Sequence, residues 1–132
     1  MLKKILYQKI IIKEKSMEPT LKDGDTIAMK KIFLKYKAKR FDLILFNFEN
    51  RNYIKRVIGV SNETIESSDG NIFINGVKIK EDYLINKIKF NFSKIKLKKD
   101  EIFVLGDHRK MSKDSRSIGP IKIDNVLSFH RV

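Results

Sequence analysis

The sequence predicts a mostly β protein, built from twisted antiparallel sheets or a partly open β-barrel. Short runs rich in Ile, Val, Phe and Tyr recur along the chain and end at Gly, Asp or Asn, which is typical of all-β domains. Helical periodicity is weak, with at most a turn or two after Pro19 and over residues 81–84. The clearest local signal is Asn75-Gly76, a dipeptide that favours the positive φ angles of a type I′ turn between two strands.

Eight strands are expected, each a run of β-branched, aromatic or aliphatic residues that ends at a polar turn. In chain order they cover residues 6–13, 26–30, 42–48, 53–60, 71–74, 77–80, 102–105 and 126–132. The pair at 71–74 and 77–80 forms the hairpin around Asn75-Gly76. We expect a catalytic β core over residues 1–61 and 100–132, with a small β cap inserted at residues 62–99.

The composition excludes several classes of site. The chain has 132 residues, 29 Lys+Arg against 16 Asp+Glu, and a formal net charge of +13. It has no cysteine, which rules out a disulfide scaffold, a thiolate zinc site and a cysteine nucleophile. Its longest uncharged stretch is residues 70–77, far short of the about 20 residues that a transmembrane helix needs. The charge itself favours an anionic partner: nucleic acid, an acidic protein or a lipid headgroup surface.

Two basic stretches, residues 30–40 and 87–99, concentrate this charge, and Phe90 and Phe92 lie within the second. Basic residues mixed with aromatics can grip phosphates and stack on bases, or lie on an anionic membrane surface. Solvated loops of a lysine-rich protein explain them equally well. No RNA-binding fingerprint and no zinc-ligand spacing accompanies the stretches. We therefore expect no nucleic-acid partner.

Three short motifs are more specific than the composition. They read SMEPTL at residues 16–21, YIKRVIG at 53–59, and GDHR at 106–109 leading into SKDSR at 112–116. In this order they resemble the type I signal peptidases, serine proteases that remove signal peptides from exported proteins. The likeness includes RFDLILF at 40–46 and extends from about residue 10 to residue 129. The resemblance implies the signal peptidase fold, and a mechanism that needs no metal and no cofactor.

The resemblance implies a Ser/Lys dyad, with Ser16 as the nucleophile and Lys55 as the general base. Such a lysine must be neutral near the working pH, which requires burial among apolar side chains. Ser112 would hydrogen-bond the amine of Lys55 and orient it. Considered singly, Ser16 is a plausible turn serine and Lys55 one of many strand lysines that face water. Of the two histidines, His108 is the alternative base, although we expect it to pack or cap a loop, and His130 to be structural or solvated.

The family pattern also implies residues that shape the site and bind substrate. Asp114 and Arg116 would form an ion pair near the dyad, and Gly106 would let the backbone pass close to it. The substrate would bind as an added β-strand, with the small side chains of an Ala-x-Ala site in shallow apolar pockets. The candidate pocket residues are Ile10, Ile12, Met17, Tyr53 and Ile54. Plain core packing is an equally good explanation of the isoleucines.

One departure from the family pattern lies beside the nucleophile. Two residues before Ser16, where the family has Gly or Ser, this chain has Glu14. A carboxylate there would repel the developing oxyanion, unless it turns to solvent or pairs with Lys13 or Lys15. The family's Pro-Gly-Asp is replaced by residues 61–63, and the Asn of its Gly-Asp-Asn by His108. We therefore expect an atypical member. The alternative is a specialised or weakly catalytic assembly factor or chaperone for exported proteins such as pilins.

The expected location also follows from the resemblance. Family members carry a transmembrane anchor shortly before the nucleophile, and here 15 residues precede Ser16. We expect that the anchor is missing from this chain, and that the catalytic domain works at the cell membrane on its extracytoplasmic face. The positive surplus then favours contact with anionic lipid through residues 30–40. Abundant Lys, Ile and Asn with two alanines indicate an A+T-rich Gram-positive source.

Overall fold

Two antiparallel sheets make up the computed structural model, which describes residues 6–132. The strands are β1 Tyr7–Ile11, β2 Thr26–Lys31, β3 Leu43–Phe48, β4 Arg51–Gly59, β5 Thr64–Ser68, β6 Asn71–Ile74, β7 Val77–Lys78, β8 Phe92–Lys96, β9 Glu101–Leu105, β10 Ile121–Lys122 and β11 Val126–His130. One sheet has the order β1-β2-β11-β3-β4-β9-β10, and the other β7-β6-β5-β8. The mostly β prediction is confirmed, and neither sheet closes into a barrel.

Short helical turns occupy the segment between β9 and β11. They are the 3-10 turns Arg109–Met111 and Ile123–Asn125 and the one-turn α-helix α1, Ser115–Ile118, which was not predicted. Within residues 6–132 we find no helix with the length and apolar character needed to cross a membrane. The first 3-10 turn and α1 lie at and after the end of the GDHR motif, and they bring residues 109–116 back against the end of β9.

The predicted hairpin is confirmed. Asn75 and Gly76 have φ angles of 50° and 82°, and the flanking residues Ile74 and Val77 pair across the turn. Both central residues of a type I′ turn need positive φ, which Gly adopts freely and Asn adopts more readily than most residues. This local signal is therefore sufficient to set the register of β6 and β7.

Strands β5, β8 and β10 were not predicted. Strand β8 lies in the second basic stretch, where lysines obscure a strand whose Phe92 packs on Phe103 with ring centroids 5.1 Å apart. Phe90 stacks on Phe92 at 6.3 Å, in the same cluster of apolar side chains. Both rings pack against the buried cluster and do not form a surface on which bases could stack. Their role is therefore structural.

The four-stranded sheet lies within the predicted cap, residues 62–99, and shares a hydrophobic cluster with the larger sheet. Ile58 and Phe103 from the larger sheet pack with Ile65 and Ile72 from the smaller one. Because this cluster continues across both sheets, the division into a core and a separate cap stays a prediction. The first five residues of the predicted core lie outside the described residues.

Strand β4 connects the fold to the site. It lies between β3 and β9 at the centre of the larger sheet, and seven of its nine residues are buried. Alternation places its side chains on opposite faces. Tyr53 and Val57 join one apolar cluster, whereas Ile54 joins another that contains Met17 from the loop after β1. This strand therefore contacts both the core and the loop that carries Ser16.

Candidate active site

The loop after β1 holds Ser16 in place by docking onto the GDHR motif. The carbonyl oxygen of Ser16 accepts the backbone N–H of His108 at 2.9 Å. The backbone N–H of Asp107 donates to the Met17 sulfur at 3.4 Å, and the Thr20 hydroxyl donates to the Asp107 carboxylate. Met17 is buried in an apolar cluster. Residues far apart in sequence thus fix the backbone of the nucleophile.

Gly106 is the point at which Ser16 and Ser112 come together. A Cβ atom added at Gly106 would lie 2.0 Å from Ser112 Oγ and 2.6 Å from the carbonyl oxygen of Ser16. Both distances are well below van der Waals contact, and the Ser16 carbonyl belongs to the backbone, so neither side can give way cheaply. Any larger residue at this position would push Ser112 away or displace the nucleophile loop.

Lys55 is buried in the middle of β4, with 1% of its surface exposed, and it pairs across the sheet with Ile44. Within residues 6–132 its side chain has no hydrogen-bond partner. Burial lowers the pKa of Lys55 below its ordinary value, against the negative charges of Glu14 and Asp114, which act to raise it. A lowered pKa favours the neutral amine that a general base requires.

Among residues 6–132 Lys55 forms no ion pair, because two carboxylates that act on it are already bound by arginines. Asp114 accepts two hydrogen bonds from Arg116, both at 2.9 Å, and Asp107 accepts two from Arg56 at 2.9 and 2.7 Å. Burial alone would raise the pKa of Asp114, but the hydrogen bonds and charge of Arg116 hold it below the usual range. Asp114 therefore stays ionised and stays bound to Arg116.

Ser112 lies beside this pair. Its hydroxyl donates to Asp114 Oδ2 at 2.7 Å, and the hydrogen bond to Lys55 that the resemblance implied is not formed. The reason is that a hydroxyl has one proton, and an ionised carboxylate is the stronger acceptor. The lone pairs of Ser112 Oγ are still able to accept a hydrogen bond from the lysine amine. Its orienting role stays a prediction.

Glu14 is exposed to solvent, which is one of the two arrangements considered from sequence, yet it still contacts the nucleophile. Its carboxylate accepts the hydroxyl proton of Ser16 at 2.8 Å, and within residues 6–132 it forms no ion pair with Lys13 or Lys15. A salt bridge with a flexible exposed lysine is worth little, whereas the Ser16 hydroxyl is held in place two residues away. The departure from the family pattern is therefore in direct contact with the nucleophile.

An apolar groove of about 290 Å³ opens next to Ser16. Four of the five predicted pocket residues line it: Ile10, Ile12, Met17 and Ile54. Tyr53 does not, because it stacks on Phe46 at 5.6 Å in the core on the other face of β4. Strand β4 pairs with β9 only from Arg56 onward, so in the described structure residues 51–55 have a strand partner on one side only. An extended peptide can pair along this edge.

Sequence reasoning missed two buried ion pairs that hold the site together. Arg56, on the strand of Lys55, binds Asp107, and Arg109 binds Glu81 of the cap region. The sequence contained a signal for the first pair, because Arg56 lies inside an apolar strand and a buried charge there needs a partner of opposite charge. His108 behaves as expected: its Nδ1 accepts the N–H of Met111 at 3.2 Å and caps a 3-10 turn.

Residues 1–131 match the family model described as signal peptidase, peptidase S26. The chain belongs to the signal peptidase family. It is 36% identical over 131 residues to signal peptidase I P of Bacillus subtilis subsp. natto, covering 89% of this chain and 70% of the relative. It is 32% identical over 144 residues to signal peptidase IB of Staphylococcus aureus, covering 94% of this chain and 75% of the relative.

A solved structure agrees with these relatives. The crystal structure of a signal peptidase I from Enterococcus faecalis matches with a TM-score of 0.64 and 32% sequence identity, covering 73% of this chain and 98% of the other. This signal peptidase is thus a serine endopeptidase that acts on the signal peptides of preproteins. The alternative of an assembly factor or chaperone is not favoured.

Proposed function

We propose that this signal peptidase cleaves preproteins with Ser16 as the nucleophile and Lys55 as the general base. The observation that carries the proposal is the burial of Lys55 with no hydrogen-bond partner among residues 6–132. Burial in that position lowers the pKa of Lys55, which favours the neutral amine. The Ser16 loop and Ser112 converge on the same place through Gly106.

In the proposed reaction the neutral Lys55 amine takes the hydroxyl proton of Ser16 as Oγ attacks the carbonyl carbon of the scissile bond. The tetrahedral intermediate then collapses, and the Lys55 ammonium returns the proton to the departing amine of the mature protein. Water, deprotonated in turn by Lys55, attacks the resulting ester. The bond to Ser16 Oγ then breaks, the Lys55 ammonium returns its proton to Oγ, and the signal peptide leaves as the carboxylate. Ser112 would orient the amine by accepting a hydrogen bond from it.

The substrate would bind as an extended strand along the open edge of β4. Backbone hydrogen bonds to residues 51–55 would give affinity, and alternate side chains would point into the groove. Because Ile10, Ile12 and Ile54 make the groove shallow and apolar, it suits the small residues of an Ala-x-Ala site. Tyr53 would act on the substrate through its backbone alone, since its ring lies in the core.

The test is cleavage of a preprotein in detergent by the wild type, Ser16→Ala and Lys55→Met. Both variants should lose at least about 10³-fold in kcat/KM, because the hydroxyl is a weak nucleophile without its base. Ser93→Ala and Lys94→Met, which alter exposed residues of β8, are the matched controls and should retain wild-type activity. Full activity in either dyad variant would overturn the assignment.

We also propose that the enzyme works at an anionic membrane surface, on the side where preproteins emerge. Phe33 and Leu34 are 62% and 89% exposed, and exposed lysines flank them within residues 30–37. Apolar side chains bordered by lysines are typical of segments that lie at a lipid interface, where the lysines contact anionic headgroups.

Flotation with liposomes tests this surface. The wild type should bind vesicles that contain anionic lipid more strongly than neutral vesicles, and replacing Phe33 and Leu34 by serine should weaken that binding. Val77→Ser is the control, because Val77 is 68% exposed but lies on the hairpin of the smaller sheet. Equal binding of the wild type to both vesicle types would contradict the proposal.

A further inference from the structure

The hydroxyl of the nucleophile is already bound to a partner that the dyad mechanism does not use. Ser16 Oγ donates its proton to Glu14 Oε1 at 2.8 Å. A hydroxyl has one proton, so Ser16 cannot donate to Glu14 and to the amine of Lys55 at the same time. A carboxylate is also a strong acceptor, since bonds to an ionised group are roughly twice as strong as neutral ones. The resting arrangement therefore competes with the catalytic one.

The charges that face Lys55 differ in how firmly they are held. Asp114 and Asp107 attract the ammonium form and Arg116 opposes it, but all three are tied into buried or partly buried ion pairs. Glu14 is exposed and, within residues 6–132, has no cationic partner. Of these groups it is the one whose side chain can move without breaking an ion pair.

Glu14 also lies where the substrate binds. Its side chain lines the apolar groove together with Ile10, Ile12 and Ile54. A peptide that fills the groove competes with Glu14 for space and surrounds its carboxylate with apolar groups, which is unfavourable for a charge. Substrate binding therefore favours displacement of the carboxylate into solvent, and this frees the Ser16 proton.

We propose that Glu14 restrains the nucleophile, holding the Ser16 hydroxyl in a resting hydrogen bond that the bound preprotein must displace before Lys55 can take the proton. Glu14 is thus a positioning residue that opposes catalysis in the free enzyme. This inference rests on the proposed Ser16 and Lys55 dyad. It assigns a consequence to the residue by which this chain departs from the Gly or Ser of the family pattern.

The experiment measures kcat/KM and kcat between pH 6 and pH 10 for Glu14→Gln and Glu14→Gly. Both variants remove the negative charge, and the glycine also removes the acceptor. We expect kcat/KM at neutral pH to rise about 3- to 10-fold, with its acid limb about 0.5–1.5 pH units lower, because the free enzyme loses a charge that favours protonated Lys55. The acid limb of kcat should move less, since that parameter reports the substrate complex, in which Glu14 is already displaced.

Glu18→Gln is the matched control. It removes a carboxylate two residues after Ser16 that makes no hydrogen bond to the hydroxyl, and its pH profile should match the wild type. Unchanged or lower kcat/KM with an unmoved acid limb in both Glu14 variants would overturn the restraint. Ser16→Ala assayed beside them separates the two proposals: its activity tests the dyad, and the Glu14 variants test the restraint in an enzyme that needs Ser16.

Discussion

Lys55 and Arg56 are neighbours on β4, both carry buried basic side chains, and their surroundings are opposite. Arg56 donates two hydrogen bonds to Asp107, a third to the carbonyl of Phe41 at 3.1 Å, and lies 4.0 Å from the ring centroid of Tyr83. Lys55 makes no hydrogen bond in the described structure. The Arg56 side chain is thus fixed by hydrogen bonds and an aromatic contact, whereas the Lys55 amine has no hydrogen-bond partner among residues 6–132.

The difference shows that one strand can stabilise the fold through Arg56 on one face and position the proposed base, Lys55, on the other. A guanidinium stays charged at any accessible pH and matches a carboxylate with two parallel bonds, which suits a buried anchor. An ammonium is more easily neutralised, and burial without a partner favours the uncharged amine. The comparison predicts that disrupting Arg56 damages the fold, whereas disrupting Lys55 damages the reaction.

The largest expected effect is on stability. Arg56→Met should lower the free energy of unfolding by about 3–5 kcal/mol, because it leaves the carboxylate of Asp107 buried and unpaired. Lys55→Met should cost less than about 1 kcal/mol, since it replaces an unpaired amine by an apolar side chain of similar length. Urea denaturation at pH 7 measures both. Adding Asp107→Asn to Arg56→Met should recover part of the loss, and equal costs for the two single variants would break the comparison.

The second largest expected effect is on the pH dependence of kcat/KM, through the charges that act on Lys55. Arg116→Gln removes a positive charge together with its two guanidinium bonds to Asp114. The carboxylate keeps its hydrogen bonds from Ser112 and Gly106, but it attracts the ammonium form of Lys55 with less opposition. The acid limb of kcat/KM should then move up by about 1 pH unit, which is about 10-fold in activity below the limb. The direction is opposite to that expected for Glu14→Gln.

Arg131→Gln is the control for that shift. It also breaks an Arg–Asp pair, but its partner is Asp42, which is not among the principal charges acting on Lys55. Its acid limb should stay at the wild-type position. The loss of the Arg116 positive charge acts in the same upward direction, since that charge lowers the pKa of Lys55, so a downward shift in Arg116→Gln would contradict the prediction.

The smallest effect is the pH dependence of stability. The folded-state pKa of Lys55 is lowered from an unfolded value of about 10.4, so the folded protein binds fewer protons between those two values. The contribution of Lys55 to the free energy of unfolding is fully present above about pH 10.4 and is lost as the pH falls through the folded-state pKa. The loss is at most about 1.4 kcal/mol per pH unit. In urea denaturation from pH 7 to pH 10, the difference in free energy of unfolding between the wild type and Lys55→Met should change with pH. Lys94→Met should run parallel to the wild type.

Much of this protein was predictable from local sequence. The Asn75-Gly76 hairpin needed only the backbone preferences of two residues. The all-β class followed from short runs of Ile, Val, Phe and Tyr that end at Gly, Asp or Asn, and the motifs that contain Ser16 and Lys55 indicated the family. These features share a physical basis, because each depends on residues that are adjacent in the chain or on a motif whose chemistry demands fixed residue types.

What only the tertiary structure decided depends on contacts between distant segments. Strand β8 was hidden because its lysines read as a loop, and the packing of Phe92 on Phe103 is what makes it a strand. Tyr53 was assigned to the substrate pocket, but its contact with Phe46 places it in the core. The family motif pointed to Lys55 as the base, but its lowered pKa arises from burial and from the charge of Arg116, which outweigh the nearby carboxylates. No local sequence pattern contains these contacts.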